Sequence, residues 1–194
     1  MSTNFDFLQK EKQFETFADA AISAELVLPI NPALCATACR TALEFAVKWM
    51  YSLDRSLTKP NDDKLVTLLG TEEFKDLMPS GMEPKLTYLR KIGNNATHNA
   101  RGVSRDQAIL ALQNLHSFLD FVAYCYGTEY TEVSFNQSLL EPKAASEPIP
   151  AVPVVQPQPE ELDFQTLLDE NFPKRESLTA KRVEQLKRGY QVHP

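Results

Sequence analysis

Cysteine and long apolar runs are both scarce in this chain of 194 residues. The three cysteines are an odd number, and Cys35 and Cys39 lie one helical turn apart, so no disulfide framework is expected. Because no histidine or cysteine cluster nearby completes a metal site, we expect reduced, buried thiols and neither a metal nor another cofactor. No apolar stretch reaches the roughly 20 residues of a membrane span, and the charged N-terminus lacks the apolar core of a signal peptide. The sequence therefore predicts a cytoplasmic protein without a membrane partner.

Excess positive charge is also lacking, since the formal net charge is −6. This charge argues against a chain whose main role is to neutralise a phosphate backbone. The sequence further lacks a GxxxxGK[ST] phosphate loop, an Asp-Glu box and a PD-(D/E)xK arrangement of acids and lysine. ATP-driven translocation and metal-dependent DNA cleavage are therefore not expected of this chain alone.

Apolar residues at helical spacing dominate the first 128 residues. They predict an all-α domain over residues 1–128 in which the second helix, opened by Asn31 and Pro32, is central and buries Leu34, Phe45 and Trp49. Ser104 is expected to cap the clearest helix. The predicted helices cover residues 4–28, 31–54, 62–69, 71–77, 83–98 and 104–127.

The composition changes after residue 128. Residues 129–135 are expected to be extended, and six of the thirteen prolines fall between Pro142 and Pro159, so residues 129–162 are predicted to be an extended proline-rich linker. Residues 163–194 are predicted to be a short amphipathic docking segment with a basic C-terminal helix. Four basic residues there are weak candidates for nucleic-acid contact, although a solvated helical face is the preferred interpretation. They are Lys181, Arg182, Lys187 and Arg188.

One stretch, "LRKIGNNATHNAR" at residues 89–101, carries the candidate site. If the helix persists, Arg90, Asn94 and His98 share one stripe, because residues four apart are neighbours on a helix surface. In a functional interpretation Arg90 holds a phosphate with its planar fork and His98 transfers a proton, as in a metal-independent ribonuclease.

A structural interpretation of the same stretch is preferred from the spacing alone. Here Asn94 or Asn95 satisfies backbone groups where the helix ends, and His98 is hydrogen-bonded to a neighbouring helix. His116 is expected to be a packed or surface histidine, and His193 a mobile one.

Four stretches together resemble the helical domain of unknown function at the N-terminus of type I restriction endonuclease R (HsdR) subunits. They are "FETFADAAISAELVL", "CRTALEFAVKWMYSLD", "LRKIGNNATHN" and "SRDQAILALQNLHSFLDFVAYCYG". The resemblance covers about residues 4–128 and implies a HEPN-like bundle of four to five helices. It also implies a non-catalytic accessory module that contacts restriction-system subunits or downstream nuclease and helicase domains, and DNA or RNA.

The same resemblance suggests two alternatives. HEPN-like bundles include RNA-cleaving toxins, so the chain could be a metal-independent ribonuclease toxin or phage-defence effector that uses Arg90 and His98 as catalytic residues. However, residues 91–97 separate these two side chains, a longer spacing than the catalytic pattern of those enzymes, which places the reactive groups differently around a phosphate. Related bundles also pair through helices, which suggests a homodimeric scaffold.

Overall fold

Residues 2–98 and 102–141 are described by a computed structural model, the side chain of His98 excepted. They belong to one compact unit, Met1–Ala144. This part of the chain is all-α and contains no strand. Its helices are α1 Glu15–Val27, α2 Pro32–Leu53, α3 Leu65–Leu68, α4 Glu72–Leu77, α5 Met82–His98 and α6 Arg105–Tyr126, with 3-10 turns at Asp6–Lys10, Lys12–Phe14 and Gln137–Leu140.

Helix α2 is the central element, because it packs against α1, α5 and α6. It starts as the sequence predicts: the Asn31 side chain accepts hydrogen bonds from the backbone N–H groups of Ala33 and Leu34, and Pro32 occupies the first helical position. Helix α6 also starts as predicted, since Ser104 and Gln107 form a reciprocal capping box. Both caps satisfy N–H groups that the first helical turn leaves without partners.

Two expectations about these helices are wrong. The first helix does not run from residue 4, because Glu11 has an extended backbone (φ −112°, ψ 110°) that separates the 3-10 turn Asp6–Lys10 from the turn Lys12–Phe14, which leads directly into α1. The second helix does not bury Leu34 and Phe45, which are 52% and 41% exposed. The partners of α2 cover the side that carries Cys39 and Met50, which are fully buried, so these two apolar side chains lie on the uncovered side.

An aromatic cluster fills the space between α1, α2 and the end of α6. The Phe17 ring is fully buried and lies 5.2 Å from the Phe14 ring and 5.5 Å from the Trp49 ring, centroid to centroid. Trp49 in turn packs edge-on against Tyr126 at 5.5 Å. Tilted and edge-to-face contacts of this kind add to the stabilisation from burial alone.

The N-terminal segment is bonded to the chain that follows α6. The Asn4 side chain donates to the backbone carbonyl of Asn136 and accepts from its N–H group, at 3.2 and 2.6 Å. Arg105 donates to the carbonyl of Leu140 at 2.8 Å, and the Leu140 side chain is only 4% exposed. The packed body therefore continues past the predicted boundary at residue 128, to residue 141 at the end of the described part. The rest of the predicted linker, the docking segment and His193 lie outside the described residues.

The cysteines are free thiols, and two of the three are buried. Cys35 and Cys39 are buried free thiols as expected, and burial and the neighbouring Cys35 thiol raise the pKa of Cys39, which keeps it protonated. Cys125, in contrast, is exposed.

Helix α6, Arg105–Tyr126, is long and apolar enough to cross a membrane, but half of its most apolar window is buried inside the protein. Such burial is typical of the core helix of a bundle.

Candidate functional site

The candidate stretch lies on the second half of α5. The helix continues without interruption through Gly93. Leu89 is fully buried and Ile92 is 8% exposed, whereas Arg90 and Asn94 are half-buried on the adjoining side. Helical spacing thus places Arg90 and Asn94 on one stripe, at the edge of the packed face.

Gly93 is the point at which α5 crosses α2. A Cβ atom at this position would lie 2.4 Å from Cβ of Arg40 and 3.1 Å from the carbonyl oxygen of Ala36. Neither atom is the end of a flexible side chain, so any larger residue would push the two helices apart. The glycine of the stretch is therefore explained by the close approach of two backbones.

Arg40 is the residue at this crossing that the sequence analysis missed. Its guanidinium lies 3.4 Å from a carboxylate oxygen of Glu44, which also pairs with Lys48 at 2.8 Å. The Nε atom of Arg40 is buried, and no hydrogen-bond partner for it occurs among residues 2–98 and 102–141. A lone arginine within an apolar helix, followed by glutamate four residues later, was the sequence signal for this ion pair.

Arg90 lines a cavity of about 170 Å³ formed by α3, α4 and the first half of α5. About half of the wall is apolar, with Leu69, Phe74 and Leu86 among the lining residues, while Lys75 and Glu83 supply charge. Within the described residues the Arg90 side chain forms no ion pair or hydrogen bond. Its five donors are therefore available to an anionic group.

Of the two stripe residues whose side chains the structure describes, Arg90 lines this cavity and Asn94 does not. The side chain of His98 lies outside the described set, and Asn95 is exposed but is not without a partner. Both hypotheses for His98 therefore stay predictions, as do the roles of Asn94 and Asn95 at the helix end. No cluster of three or more His, Cys, Asp or Glu side chains suited to a metal occurs in the part of the chain that the structure describes.

A second candidate residue, His116 on α6, is buried among aromatic rings. It is 4% exposed and is surrounded by the rings of Phe5, Phe7 and Phe135, at centroid distances of 5.8, 5.4 and 5.5 Å. Its buried Nε2 lacks a hydrogen-bond partner within the described ranges. Burial lowers the pKa of His116, although the nearby Asp120 carboxylate acts in the opposite direction. The imidazole is therefore neutral at pH 7.

The pH dependence of stability is expected to reveal this buried histidine. Since the pKa of His116 is lower in the folded than in the unfolded chain, its contribution to stability is present above about pH 6.5 and is lost as the pH falls toward the folded pKa. We expect urea denaturation midpoints to decrease between about pH 6.5 and 5. The His116→Leu variant, which cannot titrate, should lose this part of the slope, and an unchanged slope would contradict the assignment.

The fold defines the protein as an all-α domain. The chain after α6, residues 127–141, forms an arm that is hydrogen-bonded to the N-terminal segment. Residues 23–146 match the family described as Domain of unknown function (DUF4145). Because this match covers more than half of the 194 residues, the chain belongs to that family. Comparison with curated proteins gives no match. Comparison with solved structures gives none either.

Proposed function

We propose that this protein is a non-catalytic interaction module of a type I restriction system, with a HEPN-like bundle that binds another subunit in the cytoplasm. The resemblance of residues 4–128 to the N-terminal domain of restriction R subunits suggests the system. The all-α architecture is compatible with this resemblance. The Arg90 cavity provides the binding surface, and its composition is the observation that carries the proposal.

The surroundings of Arg90 favour binding over catalysis. Cleavage of a phosphodiester needs the phosphate-binding arginine and the proton-transferring group to face the same substrate at near-attack distance. The Arg90 cavity is not lined by Asn94, the next residue of the stripe, and Leu69, Phe74 and Leu86 give it an apolar half. Such a cavity is suited to a buried contact between polypeptides.

The cavity also indicates what kind of partner it accepts. A volume of about 170 Å³ suits one apolar side chain, whose burial against Leu69, Phe74 and Leu86 would supply most of the affinity. The free guanidinium of Arg90 would pair with a carboxylate beside that side chain through two parallel hydrogen bonds. The partner is therefore a protein segment that presents an apolar residue next to an aspartate or glutamate.

Binding of a restriction-system subunit should depend on Arg90. We expect the Arg90→Ala variant to bind a nuclease–translocase or methyltransferase subunit from the same organism at least about tenfold more weakly, because a charged contact at a buried position typically contributes that much. The measurement is calorimetric titration of the purified subunits. Lys91→Ala is the matched control, since Lys91 is an exposed cation on the same helix. Equal loss in both variants, or no binding by the unmodified protein, would contradict the proposal.

A ribonuclease assay tests the rival function. The proposal predicts that RNA incubated with the purified protein without metal stays intact. Cleavage that disappears in His98→Ala while the helical circular dichroism is retained would replace our proposal by the toxin hypothesis. A destabilised His98→Ala protein would instead support a structural histidine, because an unpaired buried partner costs about 1–3 kcal/mol. A monomer at micromolar concentration would exclude the homodimeric scaffold.

A further inference from the structure

A second, larger groove lies between the start of α5, the middle of α6 and the arm that follows α6. Its volume is about 510 Å³. The residues from α6 and the arm carry most of its polar and aromatic groups; they include His116, Asp120, Tyr124, Tyr130, Glu132 and Phe135. The groove lies apart from the Arg90 cavity, because the two share none of their lining residues.

The charge of the groove is predominantly negative. Asp120 and Glu132 contribute two carboxylates, whereas Lys85 contributes the one ammonium group among its lining residues. Lys85 forms no ion pair with either carboxylate, and Glu132 has no hydrogen bond or ion pair within the described part of the chain. An uncompensated carboxylate at the wall of a groove attracts cationic groups.

Aromatic rings form the walls beside these carboxylates. Tyr124 is 66% exposed and packs edge-on against Tyr130, with ring centroids 5.1 Å apart. The Tyr130 hydroxyl donates to both oxygens of Asp120, at 3.2 and 3.1 Å, and so fixes the ring and the carboxylate relative to each other. Burial and the charges of Asp120 and Glu132 raise the pKa of Tyr130 to about 12, so it remains a neutral donor. Exposed rings held next to carboxylates are the elements of cation–π recognition.

His116 closes the inner wall of the groove. Its imidazole is among the lining residues, but the side chain is only 4% exposed, and its Nε2 is a buried atom without a partner in the part of the protein that the structure covers. A group bound in the groove therefore contacts the wall that His116 supports and does not reach Nε2.

We propose that this groove binds the guanidinium group of an arginine side chain from a partner polypeptide. Its planar fork donates to the carboxylate of Asp120, while its flat face stacks on Tyr124 or Tyr130. Glu132 supplies a second negative charge at the entrance. Arginine fits better than lysine because a guanidinium has five donors in one plane, is weakly hydrated and stacks on aromatic rings. This site is independent of the proposed Arg90 contact.

The test titrates the full-length protein with a short blocked peptide, acetyl-Gly-Arg-Gly-amide, followed by NMR. We expect saturable shifts of the Tyr124, Tyr130 and His116 ring signals, with a dissociation constant in the millimolar range, as one side chain can supply about 4 kcal/mol. The citrulline peptide, a neutral isostere of similar shape, should give none of these shifts. The Tyr124 and Tyr130 ring signals report directly on stacking, which a purely electrostatic attraction to the surface would not produce.

Two variants and a matched control decide the assignment. Asp120→Asn should weaken binding about tenfold, and Tyr124→Ala, at a largely exposed ring, about threefold to tenfold. Asp76→Asn removes an exposed carboxylate outside the groove and should leave binding unchanged, as should Arg90→Ala. Equal binding of the citrulline peptide, tighter binding of the lysine peptide, or equal effects of Asp120→Asn and Asp76→Asn would each overturn the proposal.

Discussion

Alanine in place of Gly93 is expected to destabilise the protein by about 2 kcal/mol, although alanine is the better helix former by about 1 kcal/mol. The added Cβ atom would lie 2.4 Å from Cβ of Arg40 and 3.1 Å from the carbonyl oxygen of Ala36. Neither group can move without shifting the α2 backbone, so α2 and α5 must separate. The midpoint of urea denaturation, followed by the fluorescence of Trp49, measures the loss.

Gly102→Ala is the matched control for this substitution. A Cβ atom at Gly102 would meet nothing within 4 Å, and its φ angle is not in the positive range. We therefore expect no loss of stability, or a gain of up to about 1 kcal/mol, because alanine lowers the conformational entropy of the unfolded chain. If Gly93→Ala were as stable as Gly102→Ala, the close approach of α2 and α5 would not explain the glycine of the candidate stretch.

Helix starts could be predicted from the sequence because their causes are local. Asn31 with Pro32, and Ser104 with Gln107, satisfy N–H groups within three residues of themselves, so the short stretch contains all the information. The break before α1 could not be predicted in this way. The apolar spacing around Glu11 continues a helical pattern, but the carboxylate of Glu11 accepts a hydrogen bond from the distant Thr128 N–H at 2.6 Å. A contact across 117 residues leaves no trace in local spacing.

The prediction of which α2 residues are buried was partly wrong for a related reason. The helix has apolar residues on more than one side, and periodicity alone does not show which side its neighbours cover. Leu34 and Phe45 stay largely exposed, whereas the small residues Cys39 and Ala42 are fully buried. Small side chains permit the close packing of α2 against α1, α5 and α6. The larger Leu43 and Met50 are fully buried as well, so the positions of the neighbouring helices, rather than the residue types of α2, decide which side is covered.

For the candidate site too, local relations could be predicted from the sequence and contacts between distant segments could not. Helical spacing correctly placed Arg90 and Asn94 on one stripe of α5, since that relation depends on the helix alone. The cavity at Arg90, the contact of Gly93 with Arg40, and the aromatic surroundings of His116 all depend on parts of the chain that are distant in sequence. The charges that meet in the second groove come from residues 85, 120 and 132, which no short motif could connect.

Truncation of Phe17 to alanine is expected to cause the largest loss of stability, about 3–5 kcal/mol. Its ring is fully buried between Phe14 and Trp49, so the substitution removes apolar contact area and leaves a cavity that the surrounding helices fill only in part. Because a domain of this size is typically stable by about 5–15 kcal/mol in total, this loss removes a large share of the stability, and the urea denaturation midpoint should decrease accordingly. Trp49 lies against the deleted ring, and its fluorescence is therefore the direct measure of both the local repacking and the global transition.

Phe45→Ala provides the matched control, because it makes the same chemical change within a helix at a ring that is 41% exposed. Both variants gain equally from the higher helix propensity of alanine, so the difference between them isolates the effect of burial. We expect the loss at Phe45 to remain below about 1 kcal/mol. A loss at Phe45 comparable to that at Phe17 would mean that a second copy or a partner covers the exposed side of α2 in solution, and a stability that rises with protein concentration would then identify the second copy.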